Sequence, residues 1–152
     1  RFTVNIHLKI MSTVVIMGLS SIVAAQDITG IWQSIDDQNS KPKALIEIKK
    51  DANGQFSGRI VKTTPSLGYK AQEFCVKCPG NLKDKPLVGL NIIQQLKHVK
   101  GNEYDGGQIL DPLSGKTYKL SMKLSNNGNT LRVHGYLGIQ AIGRTQTWVR
   151  QK

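Results

Sequence analysis

The sequence predicts an all-β fold, a single eight-stranded antiparallel up-and-down barrel, and three observations lead there. Short runs alternate polar and apolar residues, hairpin turn signals separate the runs, and no long stretch keeps a convincing helical period. The clearest run is 117–124, where Tyr118, Leu120, Met122 and Leu124 alternate with Thr117, Lys119, Ser121 and Lys123. That is the period of a strand with one dry and one wet face. Ahead of it, Asp111 bonds back to the turn backbone, Pro112 presets its φ and Gly115 takes a left-handed conformation, so the chain reverses into a hairpin. At 152 residues the chain fits one domain with a core of its own.

The first 25 residues differ in kind. Arg1, His7 and Lys9 precede an apolar run from Ile10 to Val23, and Val23-Ala24-Ala25 offers small side chains where a signal peptidase cuts. Residues 1–25 are therefore expected to be a signal peptide and 26–152 the barrel domain, exported to the periplasm or secreted. A membrane anchor is the alternative reading. The run is shorter than the roughly 18 apolar residues a span needs, and Ser12, Thr13, Ser20 and Ser21 interrupt it. Met11 leaves open a shorter leader.

Along the domain, Ile28 to Ile35 reads as the first strand, stopped by the polar turn Asp36 to Ser40. In the second, Ala44, Ile46 and Ile48 alternate with Leu45, Glu47 and Lys49. Asn53-Gly54 then supplies the positive φ of a tight hairpin. The third, Gln55 to Lys62, sets Phe56, Gly58 and Ile60 on one face, with Gly58 marking a bulge or a close approach. Residues 63–85 break the rhythm and form the one long loop, carrying Pro65, Gly68, Pro79 and Gly80. Pro86 to Val99 fits either a helical spacing or a strand, and the expectation is a strand leading into a short irregular turn. Strands follow at Gln108–Leu110, Thr117–Leu124, Thr130–Leu137 and Thr145–Arg150, with Asn126 to Asn129 as another reversal. Closing such a meander removes exposed sheet edges, and eight strands leave an interior that side chains fill or that holds one small ligand.

The charge is strongly basic, with 21 Lys and Arg against 10 Asp and Glu. Removing Arg1 and Lys9 with the leader still leaves 19 basic side chains, a net charge of about +9. Such a surface attracts anionic lipid headgroups, acidic polymers and acidic proteins. After export nucleic acid is the least available partner, and none is expected. Lysines scattered over alternating strands also suit a plainer role, keeping the wet faces soluble.

Motifs with chemistry are few. Cys75-Val76-Lys77-Cys78 has thioredoxin-like spacing, but Pro79-Gly80-Asn81 follows it where a helix should begin, and no βαβ context surrounds it. As half a zinc site it lacks a second ligand pair, since His98 and His134 follow no ligand spacing. A Cys75–Cys78 disulfide pinning the long loop is expected, and no metal or cofactor. Ser114-Gly115-Lys116-Thr117 echoes a P-loop, but Leu110 stands where the first glycine belongs and the lysine enters a strand. Asp36 and Asp37 read as turn residues, and no serine or cysteine has a histidine and an acid at supporting spacing. The expectation is a protein that is not an enzyme.

Gly30-Ile31-Trp32 resembles the Gly-x-Trp signature of lipocalins and related calycin barrels. With Gly58-Arg59-Ile60, Pro86 to Leu90, Gly107 to Pro112, Gly115 to Tyr118, Leu131 to Tyr136 and Thr147 to Arg150, the chain resembles small exported bacterial proteins called domain of unknown function 2147. The resemblance implies a lipocalin-like barrel in the envelope or outside the cell, with Arg150 stacked on Trp32 at the closed end, and it brings no activity. Tyr104 stands where that family usually has tryptophan. On this barrel, Ile46, Ile48, Phe56, Tyr118, Leu120, Met122, Leu131 and Val133 are expected to face the interior. They either line a pocket for a small hydrophobic or amphipathic ligand, with Tyr118 as polar handle, or pack it shut. The other function class is a non-catalytic module holding an acidic envelope polymer, lipid headgroup or protein on its basic surface. The oligomeric state is left open.

Overall fold

A computed structural model describes residues 26–65 and 72–152; the expected signal peptide, 1–25, lies outside the described residues, as does the 66–71 part of the long loop. Eight strands follow in order: β1 (Gly30–Ile35), β2 (Pro42–Lys50), β3 (Gln55–Thr63), β4 (Asn91–Lys100), β5 (Glu103–Leu110), β6 (Thr117–Leu124), β7 (Thr130–Tyr136) and β8 (Gly143–Arg150). Each pairs antiparallel with the next, and β8 returns to β1, so the sheet is a closed barrel. Among the described residues the only helical piece is one 3₁₀ turn, Gly80–Leu82, and no helix is long and apolar enough to cross a membrane.

The turns follow their chemistry. Asp51 accepts from the amides of Asn53 and Gln55 with its side chain, and Asp111 does the same for Leu113 while taking the Ser114 hydroxyl. Gly115 has φ +73°, and a side chain there would run into the Lys77 carbonyl, so only glycine lets this hairpin dock under the long loop.

Several ladders shift register, and β4 and β5 depart from simple alternation, β5 burying Tyr104, Gly107 and Leu110 three residues apart. Gly58 sits at a register shift between β3 and β4, where a Cβ would press into Ile93, so the marked close approach is present. β4 begins at Asn91, not at Pro86, and Pro86 instead bridges to Phe74 inside the long loop. Within β4, Gln95 adopts φ +60° and the strand carries an extra residue relative to β3 between Phe56 and Gly58. A second extra residue lies opposite the step from Gly58 to Arg59, so the buried residues are Ile92, Ile93 and Leu96, a spacing that mimics a helix in sequence and goes with these two irregularities.

The seam that closes the barrel is its shortest ladder. β1 and β8 pair at two positions, Trp32 with Arg150 and Gln33 with Val149, whereas β7 and β8 pair along seven. Side chains make up the difference at both ends of the seam. Arg150 donates to the backbone carbonyls of Asp27, Thr29 and Gly128 at 2.6–2.7 Å while its guanidinium lies 4.3 Å over the Trp32 ring. At the other end Arg144 holds Asp37 through two bonds, 2.5 and 3.1 Å.

Candidate functional site

The two ends of the barrel are filled differently because the inward side chains differ in size. Toward the hairpin turns at Asp51–Gly54, Gly101–Asn102 and Ser125–Asn129, the interior receives Trp32, Phe56, Leu96, Tyr104, Met122 and Leu131, all buried. Phe56 and Tyr104 meet edge to face at 5.2 Å, and Trp32 Nε1 donates to the Ile28 carbonyl at 2.9 Å. Burial pushes the Tyr104 phenol up from its ordinary value, with nearby Asp27 adding to the shift. Tyrosine thus fills a position whose task here is to complete an apolar floor.

At the opposite end the same strands offer Ser34, Ala44, Val133 and Gly135 inward, and the space they leave is a cavity of about 660 Å³. Ile46, Ile60, Ile92, Ile109 and Trp148 are among the apolar residues of its wall. The loops after β1, β3, β5 and β7 surround the mouth.

Polar groups gather toward the rim and satisfy one another. The Trp148 indole donates to Gln146 Oε1 at 3.2 Å, and the Ser34 hydroxyl to the Ala44 carbonyl at 3.1 Å. Asp36 accepts from the amides of Gln38 and Asn39 and lies 3.5 Å from Lys43. The Gln38 amide holds the Asp36 carboxyl below its ordinary value, and the Arg144 hydrogen bond does the same for Asp37. Reciprocally, Asp37 raises the Arg144 guanidinium above its ordinary value. Tyr118 also borders the cavity, whereas the Tyr136 ring stacks on His134 at 5.6 Å on the outer face of β7.

Of the eight interior residues expected from sequence, Ile46, Tyr118 and Val133 lie on the cavity wall. Ile48, Phe56, Leu120, Met122 and Leu131 are buried in the core and are not on that wall. Alternation sorts inward from outward and carries no information about depth along the barrel, which is what divides the two sets. Asp37 and Arg144 escape sequence reasoning for another reason: 107 residues separate them, and only closure makes them neighbours. Trp148 was legible as an apolar residue of the last strand, but not as cavity wall.

Cys75 and Cys78 form a disulfide in the long loop. The loop is bound internally by the Cys75 amide to the Lys85 carbonyl and the Leu87 amide to the Glu73 carbonyl. His134 faces away from the cavity wall residue Val133 and ties the β7–β8 loop, with Nδ1 at 2.8 Å from Thr145 Oγ1 and Nε2 at 2.8 Å from the Gln140 carbonyl. Among the described residues no three His, Cys, Asp or Glu side chains gather as a metal site.

Residues 30–150 match a protein family described as "Uncharacterized protein conserved in bacteria (DUF2147)". Among solved structures, one from Helicobacter pylori is similar at 25% identity and a TM-score of 0.70, covering 83% of this chain and 84% of its own. It is described as "Protein HP1028 from the human pathogen Helicobacter pylori belongs to the lipocalin family". No curated protein matches the chain.

Proposed function

We propose, from the premise that this chain belongs to the DUF2147 family of bacterial proteins and has a lipocalin-like barrel, that it is an exported carrier of a small hydrophobic or amphipathic molecule. The lipocalin-like fold is that of a binding protein, and no catalytic family is indicated.

One observation carries the reading: a cavity of about 660 Å³, mostly apolar in its depth and polar at its rim, above a floor filled by side chains. The volume lies in the range of small-molecule sites, roughly 300–1,000 Å³. An apolar body would bury against Ile46, Ile60, Ile92 and Val133, and a polar end would remain near Tyr118 and the Asp37–Arg144 pair. Asp37 and Arg144 are already matched, and Lys41 on the same rim has no acidic partner among the described residues, so an uncharged, zwitterionic or anionic head fits. Export is supported by the apolar leader of the sequence and by a disulfide, which persists in oxidising compartments.

Native mass spectrometry of protein recovered from its own envelope tests this. A bound amphiphile is expected, together with uptake of a fluorescent fatty-acid probe that Val133→Trp, by filling the cavity, abolishes. Protein that carries nothing and takes up no probe would sink the reading.

A further inference from the structure

Eight large hydrophobic side chains stand exposed among the described residues, and they are not spread evenly. Phe74, Val76, Val88, Leu137, Ile139 and Ile142 belong to the β3–β4 and β7–β8 loops at the mouth of the cavity; only Val99 and Val149 lie toward the closed end. Exposing such side chains is unfavourable, and clustering at one pole marks a surface that is covered in use.

The tips are held out rather than left loose. The Cys75–Cys78 disulfide and the Cys75–Lys85 and Glu73–Leu87 backbone bonds fix the loop that carries Phe74 and Val76. On the other loop, His134 bonds the Gln140 carbonyl between Ile139 and Ile142. Both loops therefore present apolar points on frames that do not fold back to bury them.

Charge selects the partner. Lys41, Lys77, Lys83, Lys85 and Lys116 are exposed on the loops of this pole and take part in no ion pair among the described residues. Asp36 and Asp37 are matched by Lys43 and Arg144, which leaves Glu73 and Asp84 as the exposed opposing acids on the long loop. Separate apolar tips interleaved with lysines on convex loops suit a layer that is anionic at its surface and apolar beneath. A rigid protein partner would instead be expected to meet one flat continuous patch.

We propose that the open end of the barrel is a docking surface for an anionic lipid bilayer, with Phe74, Val76, Ile139 and their neighbours inserted at the headgroup level. The cavity mouth then faces the membrane, so an amphiphile passes between bilayer and barrel without crossing bulk water. This extends the reading of the cavity as a binding site, and the two are separable by experiment.

The processed protein, recovered from the envelope, is sedimented with vesicles of phosphatidylglycerol and phosphatidylcholine, and with phosphatidylcholine alone. Binding to the anionic vesicles is expected, weakened by high salt. Phe74→Asp with Ile139→Asp should lower it at least about tenfold, since each change removes an apolar side chain that insertion into the bilayer buries. Val99→Asp with Val149→Asp should leave it within about twofold of the unsubstituted protein, on the same scale. Val76→Asp with Ile139→Asp gives a second version if the Phe74 change upsets its loop. Equal loss from both poles, or no loss from either mouth variant, overturns the proposal. So does a two-copy assembly in lipid-free solution that the mouth variant dissociates while vesicles recover no protein. Val133→Trp separates the two readings: vesicle binding that survives when probe uptake is lost upholds the docking surface independently of the cargo.

Discussion

The closed and open ends of this barrel are built from the same eight strands and solve opposite problems. At the closed end Arg150 is part-buried, its guanidinium spent on three backbone carbonyls and the face of Trp32, and burial pulls its affinity for the proton below the ordinary value. At the open end Arg144 is largely exposed and holds one carboxylate, that of Asp37. One arginine replaces ladder hydrogen bonds that a two-position seam does not make; the other trims the rim of a cavity. The difference teaches that stability and capacity have been given to different poles, so that the mouth remains available for binding.

Substitutions of matched chemistry at the two poles sharpen this contrast. The largest expected effect is in the packed interior: Leu120→Ala should cost about 3–5 kcal/mol in urea unfolding, from lost transfer energy plus an unfilled hole. Ile60→Ala on the cavity wall should cost less, about 2 kcal/mol, because the space beside it is already open. Equal costs would mean the cavity is closed in solution.

The arginines come next. Arg150→Ala strands three carbonyls and removes a guanidinium–indole contact, an expected loss of about 3 kcal/mol. Arg150→Lys should recover only part of this, since an ammonium does not reproduce the planar fork. Arg144→Ala should cost below about 1 kcal/mol, as expected for an exposed pair. A reversal of that order would break the division of labour between the poles.

Reduction of Cys75–Cys78 should follow, at about 2 kcal/mol for so short a ring. Hydrogen exchange should then rise in the long loop and stay unchanged at Trp32 and Tyr104.

The smallest effect is acid sensitivity at the rim. The Asp37 carboxyl is held below its ordinary value of 3.8 by Arg144, so its contribution is fully present above that value and lost as pH falls through the folded one. With Asp37 and Arg144 side chains 23% and 61% exposed, the contribution should be below about 1 kcal/mol. Asp37→Asn should flatten the stability–pH curve by that amount, and an unchanged curve would mean that the pair is broken in solution.

Local physics made much of the fold legible. Tyr118 to Leu124 alternate because one face of β6 is dry, Asn53-Gly54 and Gly115 turn where positive φ is needed, and the Cys75–Cys78 pair was readable from its spacing and surroundings. β4 was the hardest strand to read, because its two irregularities against β3, one of them around Gln95, go with a helix-like interval between buried residues.

By itself, then, the chain determined a count of strands, their antiparallel order and which side of β2, β3, β6 and β7 is dry, since these depend on neighbours one or two residues away. Only the tertiary structure decided that Met122 and Leu131 belong to a solid core while Val133, two residues further along the same face, borders open space. That depends on what faces each residue across the barrel: Trp32, Phe56 and Tyr104 fill one half, Ser34, Ala44 and Gly135 do not fill the other. Volume is summed over strands distant in sequence, and no single strand contains the total.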